Sequence, residues 1–200
     1  KRTGTSWAQE AYIKAANNDA DDFFGHIVAL DSDTLAVVAS SEDSNQTTIT
    51  NGTSASSDNS IAYSGAVYVY KRTGTSWAQE AYIKSANNED RDQFTMVALS
   101  GDTLAVGALA EDSNQTTITN GTSASSNNSN SESGAVYVYK RTGTSWAQEA
   151  YIKAANNDAN DLFGRHAVTL AGDTLAVGAF QDDSNQATIT NGTSASSDDS

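Results

Sequence analysis

Short runs in which apolar and polar residues alternate, separated by clusters of turn-forming residues, fill the whole chain. The run Thr34–Ala39, TLAVVA, is apolar on both faces and predicts a strand sandwiched between two layers. Ile27–Leu30, following Phe24-Gly25, predicts a strand before it, and the turn Asp31-Ser32-Asp33 is short enough to join the two as a hairpin. In Gly65–Tyr70, Ala66, Tyr68 and Tyr70 alternate with Val67 and Val69, a third strand. In Ser6–Lys14, Trp7, Ala11 and Ile13 fall on one face and Glu10, Tyr12 and Lys14 on the other, as in a half-buried outer strand. The turn Arg2-Thr3-Gly4-Thr5 links third strand to fourth. The stretch WAQEAYIKAANN also contains good helix formers, but its alternation and its Gly-Thr-Ser entry favour a strand.

These runs repeat. KRTGTSWAQEAYIK stands unchanged at 1–14, 71–84 and 140–153, TLAV at 34–37, 103–106 and 174–177, and SGAVYVY at 64–70 and 133–139. A period of about 70 residues with four strands and no amphipathic helix predicts an all-β chain of β-propeller-type blades, each of four antiparallel strands, in about three repeats. Residues 1–14 read as the orphan outer strand of a preceding blade, 15–84 as the first blade, 85–153 as the second and 154–200 as an incomplete third. Such an inventory predicts a partial propeller, or one completed by another copy. The second copy is one residue shorter before its TLAV and the third one residue longer. A one-residue slip reverses the faces of a strand, so either a bulge absorbs it or the sequence in this stretch is imperfect.

The residues around the first two strands resemble the FG-GAP repeat of integrin-alpha-like propellers, in its bacterial form. The Phe-Gly stands at Phe24-Gly25 and Phe163-Gly164, and the Gly-Ala at Gly107-Ala108 and Gly178-Ala179. Ser40, Leu109 and Phe180 replace the Pro that gives the motif its last letter, and the second copy has Phe94-Thr95 for Phe-Gly. The resemblance implies a propeller and a secreted or cell-surface location. The family's calcium loop between first and second strands has only the short Asp31-Ser32-Asp33 turn in its place.

Charge and composition narrow the chemistry. Twenty-five acidic against 11 basic residues give a net charge of −14, which disfavours nucleic acid and anionic lipid as partners. No apolar run approaches the roughly 18 residues of a membrane span. Cys is absent, so there is neither a disulfide framework nor a thiolate metal site. The acidic pairs after the second strands, Glu42-Asp43, Glu111-Asp112 and Asp182-Asp183, are candidate calcium ligands, because each opens a loop rich in the oxygens that hard cations require. The competing reading is an acidic turn residue hydrogen-bonded to backbone N–H groups. The loops, such as Asn45–Ser60, also offer hydroxyls and amides to a sugar, or pack on themselves with Thr-Ile-Thr as a short extra strand. Asn45, Asn51, Asn114, Asn120 and Asn191 head glycosylation sequons.

Nothing in the chain reads as catalytic. His26 and His166 are the two histidines and are not equivalent in the repeat, and no nucleophile elbow, phosphate loop or zinc motif occurs. Glu10, Glu80 and Glu149 recur as structural residues do. The expected function is a non-catalytic extracellular structural or adhesive protein that self-associates through blade edges into an oligomer or filament. The alternatives are a calcium-dependent module for a cell-surface protein or glycan, and the non-catalytic domain of a larger secreted hydrolase.

Overall fold

Two turn residues with a left-handed first position close the hairpin between the first two strands of every repeat. The computed structural model describes residues 1–196. Strands β3 (Phe24–Asp31) and β4 (Thr34–Ala39) pair as Leu30↔Leu35 and Asp31↔Thr34, with Ser32 at φ 55°. Strands β8 (Phe94–Ser100) and β9 (Thr103–Ala108), and β13 (Phe163–Ala171) and β14 (Thr174–Ala179), repeat this with Gly101 and Gly172, both at φ 57°.

The sheets follow. Strand β4 pairs with β6 (Ala66–Thr73), β6 with β7 (Ser76–Ile83), and β7 with the short β5 (Thr50–Asn51). The second blade has β8, β9, β11 (Ala135–Thr142), β12 (Ser145–Ile152) and the short β10 (Ile118–Asn120) in the same order. All pairs are antiparallel, and no helix occurs among the described residues. Each of the first two blades therefore has the four predicted strands plus a short fifth at the end of the Thr-Ile-Thr tract. The third blade consists of β13 and β14. Strands β1 (Arg2–Thr3) and β2 (Ser6–Trp7) form a small separate hairpin. The predicted orphan strand over Ser6–Lys14 is thus cut to Ser6–Trp7, since residues 8–14 have no neighbouring strand to pair with.

The first strands of successive blades lie side by side, β3 against β8 and β8 against β13. The blades pack large face on small. The near face of blade 2 presents Val97, Leu99, Leu104, Val106, Tyr137 and Tyr139, and the far face of blade 1 presents Ala29, Ala36, Val38, Val67, Val69, Ala81 and Ile83. This is the alternation of TLAV and AVYVY made three-dimensional. Leu, Val and Tyr look back toward the preceding blade, and Ala and Val look forward.

Two bulges carry the rest of the geometry. In the fourth strands Val69 pairs with Ala81 and Tyr70 with Gln79, so Glu80 is the extra residue; Glu149 is its equivalent between Ala150 and Gln148. The bulge corrects the straight alternation read from sequence. Trp77 packs with Tyr82 on the near face, not with Ala81 and Ile83. The second bulge follows the Phe of the first strand. Phe24, Phe94 and Phe163 pair with Ala39, Ala108 and Ala179, but regular pairing resumes at Val28, Met96 and Val168. The bulge absorbs the one-residue differences between copies, and the hairpin register is unchanged.

The glycines of Phe-Gly and Gly-Ala meet across a joint. A Cβ on Gly107 would lie 2.2 Å from the carbonyl oxygen of Gly164 in the next blade. At the first joint the equivalent positions hold Val38 and Thr95, the bulge is shortest, and the Val38 side chain fills the room. The two departures from the motif are one coupled change. Gly107→Ala should cost about 2–3 kcal/mol in urea unfolding, as overpacking against backbone does. Gly178→Ala, at the same motif position but with its nearest neighbour the Ala167 Cβ at 3.1 Å, should cost less than half of that.

Candidate functional site

The acidic tracts after the second strands carry the densest polar chemistry. Glu42 is buried at the start of its tract, and its Oε2 lies 2.9 Å from the Lys84 ammonium at the end of β7. Asn17 Nδ2 donates to Oε1 at 3.0 Å and Ser44 N–H to Oε2 at 3.2 Å. Lys84 also donates to Ser64 Oγ at 2.6 Å, and Tyr68 OH donates to Asn17 Oδ1. The second copy repeats the arrangement. Glu111 Oε2 pairs with Lys153 at 2.8 Å, Oε1 accepts from Tyr151 OH at 2.7 Å and from Asn87 at 2.9 Å, and Tyr137 OH donates to Asn87 Oδ1. Burial pulls both lysines below their ordinary range while the partnered glutamates oppose it, and burial pushes the phenols up. Every oxygen of these carboxylates is occupied by a donor, as a buried ion pair requires.

The second acid of each pair has another task. Asp43 Oδ1 accepts the Tyr63 N–H and Asp112 Oδ1 the Glu132 N–H, both at 2.6 Å, tying off the far end of the long loop. Asp182 is exposed and accepts from Asn156 at 2.8 Å and from Ser184 N–H at 3.0 Å, and Asp183 is exposed beside it. The six candidate calcium ligands are therefore held as three separate kinds of group. Among the described residues no set of three or more His, Asp or Glu side chains converges.

A second polar set spans the joints. Arg72 bridges Asp33 Oδ1 of its own hairpin turn at 2.5 Å and Glu10 Oε1 of the preceding repeat at 3.1 Å, and Trp77 Nε1 donates to the same Glu10 oxygen at 3.2 Å. Arg141 repeats this with Asp102 at 2.6 Å and Glu80 at 3.0 Å, and Trp146 donates to Glu80 at 3.1 Å. Each arginine also lies over its tryptophan ring. The hydrogen bond from Arg72 holds the Glu10 carboxyl below the usual range. The bulge at Glu80 aims this side chain across the joint.

The polar loops pack on their neighbours. Asn51 clasps the backbone of Trp146, accepting its N–H at 2.7 Å and donating to its carbonyl at 3.2 Å, so this sequon side chain serves the joint. A cleft of about 310 Å³ beside it is lined by Thr47, Thr48, Ile49, Lys84, Trp146 and Gln148. His26 lies 2.9 Å from Ser40 Oγ, a pairing without counterpart where Leu109 and Phe180 replace the serine. Sequence reasoning singled out the acids but missed Lys84, Lys153, Asn17 and Asn87. Their signal was available in the invariant spacing of YIK and of the Asn pair that follows it.

A protein-family model, the FG-GAP repeat, matches residues 7–70 and 146–195, more than half of the chain. No curated protein matches it. The stretch between the two matches holds the copy with Phe94-Thr95.

Replacing Lys153 by Met should cost about 3–5 kcal/mol in chemical denaturation, because Glu111 is left as an unpaired buried charge. Glu111→Gln combined with Lys153→Met should recover most of that loss.

Proposed function

This chain belongs to the FG-GAP repeat family, and we propose on that premise that it is a non-catalytic structural module of the cell exterior that associates blade edge to blade edge. One observation carries the reading. Val28 and Leu30, on the near face of blade 1, are 58% and 64% exposed, whereas their equivalent Val97 in blade 2 is 6% exposed beneath the far face of blade 1. The same kind of apolar face is thus closed over Val97 at one joint, while at the other Ile13 and Ala15 pack with Val37, Tyr68 and Tyr82 and leave Val28 and Leu30 open. Its natural cover is a far face of the same kind, and the far side of blade 3 supplies small residues, Thr169, Ala176 and Gly178, at the positions of Ala29, Ala36 and Val38.

The occupant we assign is a second copy of the chain. A contact that joins one face to a different face is head-to-tail, and such contacts extend into filaments unless the rotation closes them. The repeat supports this use. Near-identical loops present equivalent contacts many times over, which suits a lattice or avid adhesion to a surface ligand better than one tailored pocket. The polar groups are spent on holding blades together rather than left converging on a substrate, which supports the non-catalytic reading.

Sedimentation velocity over a range of concentrations tests it. The wild-type chain should form species larger than monomer, and Val28→Lys with Leu30→Lys should abolish them while leaving the β-sheet circular dichroism intact. A wild-type chain that stays monomeric throughout would refute the proposal.

A further inference from the structure

The joint between blades 1 and 2 buries a carboxylate beyond those its buried lysines match. Between blades 1 and 2, Glu42 is balanced by Lys84 and Glu111 by Lys153, each within its own hydrogen-bonded set. Asp92 lies in the same region, in the loop that enters β8. It is 4% exposed, and among the described residues it forms no ion pair. Its carboxylate accepts the Glu89 N–H at 3.1 Å, a turn closed within its own loop.

The loop is built to hold this side chain inward. The residues on either side, Arg91 at φ 68° and Gln93 at φ 49°, are both left-handed. Their N–H groups bond to the carbonyls of Ala62 and Tyr63 in the preceding blade at 2.9 and 3.2 Å. The same frame recurs around Asp22, between Asp21 and Phe23, and around Asp161, between Asn160 and Leu162. Three non-glycine pairs kept in a costly conformation mark a position that the surrounding structure over-determines.

The charged and titratable groups facing Asp92 are mostly of its own sign. Glu89 comes from its loop, and Glu111 and Asp112 come from the tract after β9. Lys84 and Lys153 end the fourth strands, and the phenols of Tyr137 and Tyr151 come from β11 and β12. Asp90 and Arg91 pair with each other at the surface.

We propose that Asp92 carries a proton when the joint between blades 1 and 2 is closed, which makes that joint a proton-held latch that is tightest in mildly acidic solution and loosens as the pH rises. A protonated carboxyl adds no charge to a region whose lysines are already matched, whereas an ionised one adds a buried charge without a partner. Burial, with Glu111 beside it, pushes the Asp92 carboxyl up to about 8, and burial pushes Asp22 up to about 6. An unfolded aspartate titrates near about 4, so between about 4 and about 8 the folded chain holds a proton that the unfolded chain has released. Stability therefore falls as the pH rises through that window. The device lies inside the chain and works whether or not copies associate.

Thermal melting of the full chain at about pH 5.5 and about pH 8.5 tests the latch. The wild type should melt several degrees lower at the higher pH. Asp92→Asn, a neutral mimic of the protonated side chain, should remove most of that difference by raising the midpoint at high pH. Asp90→Asn, which deletes an exposed charge from the same loop, should keep it, separating the latch from general repulsion in an acidic protein. An Asp92→Asn chain with the wild-type pH slope overturns the proposal. Should that variant fail to fold, the carboxyl carbon of Asp92 can be titrated by NMR in the wild type. A midpoint above about 6 supports the latch, and one below it overturns it.

Discussion

A β-sheet that is apolar on both faces is not stable alone in water, and every other feature of this chain follows from that constraint. The far face of one blade is the cover for the near face of the next. Burying apolar surface at roughly 25 cal/mol per Å² makes this contact the main favourable term, and it runs between neighbours rather than through one central core. The asymmetry of the two faces gives the stack a direction. Leu, Val and Tyr on one side cannot meet Leu, Val and Tyr on the next without overpacking, so the large face always seeks the small one.

Polar groups then set how the blades sit on one another. Apolar packing is non-directional, and a joint held by it alone could slide. The Glu80–Arg141–Trp146 set, the Asn51 clasp on Trp146 and the hydrogen bond from Gly101 N–H to Asp31 all cross the joint and fix its alignment. The buried Glu–Lys pairs are of little net benefit to stability, but once inside they have to be complete, which explains why each is surrounded by Asn, Ser and Tyr donors. The same logic that closes these pairs leaves Asp92 as the surplus group.

Much of this was legible in the chain. The TLAV strand, its two-residue hairpin and the alternation of AVYVY have the period of a strand and no competing signal, and the structure has them where the pattern put them. The bulge at Glu80 was not legible, because one extra residue leaves the composition of the strand untouched while exchanging its faces. The acidic pairs were found, but not what meets them. Glu42 and Lys84 lie 42 residues apart, and a spacing of that length carries no local signature. The departure at Phe94-Thr95 carries no reason when read alone. It becomes intelligible only beside Val38, with which it shares a joint.

The bulge behind each leading phenylalanine has a consequence for how such a chain can change over time. Three nearly identical copies are prone to unequal recombination, and each event risks adding or deleting a codon. Here the slack sits between a fixed aromatic anchor and a fixed hairpin, so the three copies already tolerate three different lengths without disturbing either end. A module with a built-in expansion gap can be duplicated carelessly and still fold.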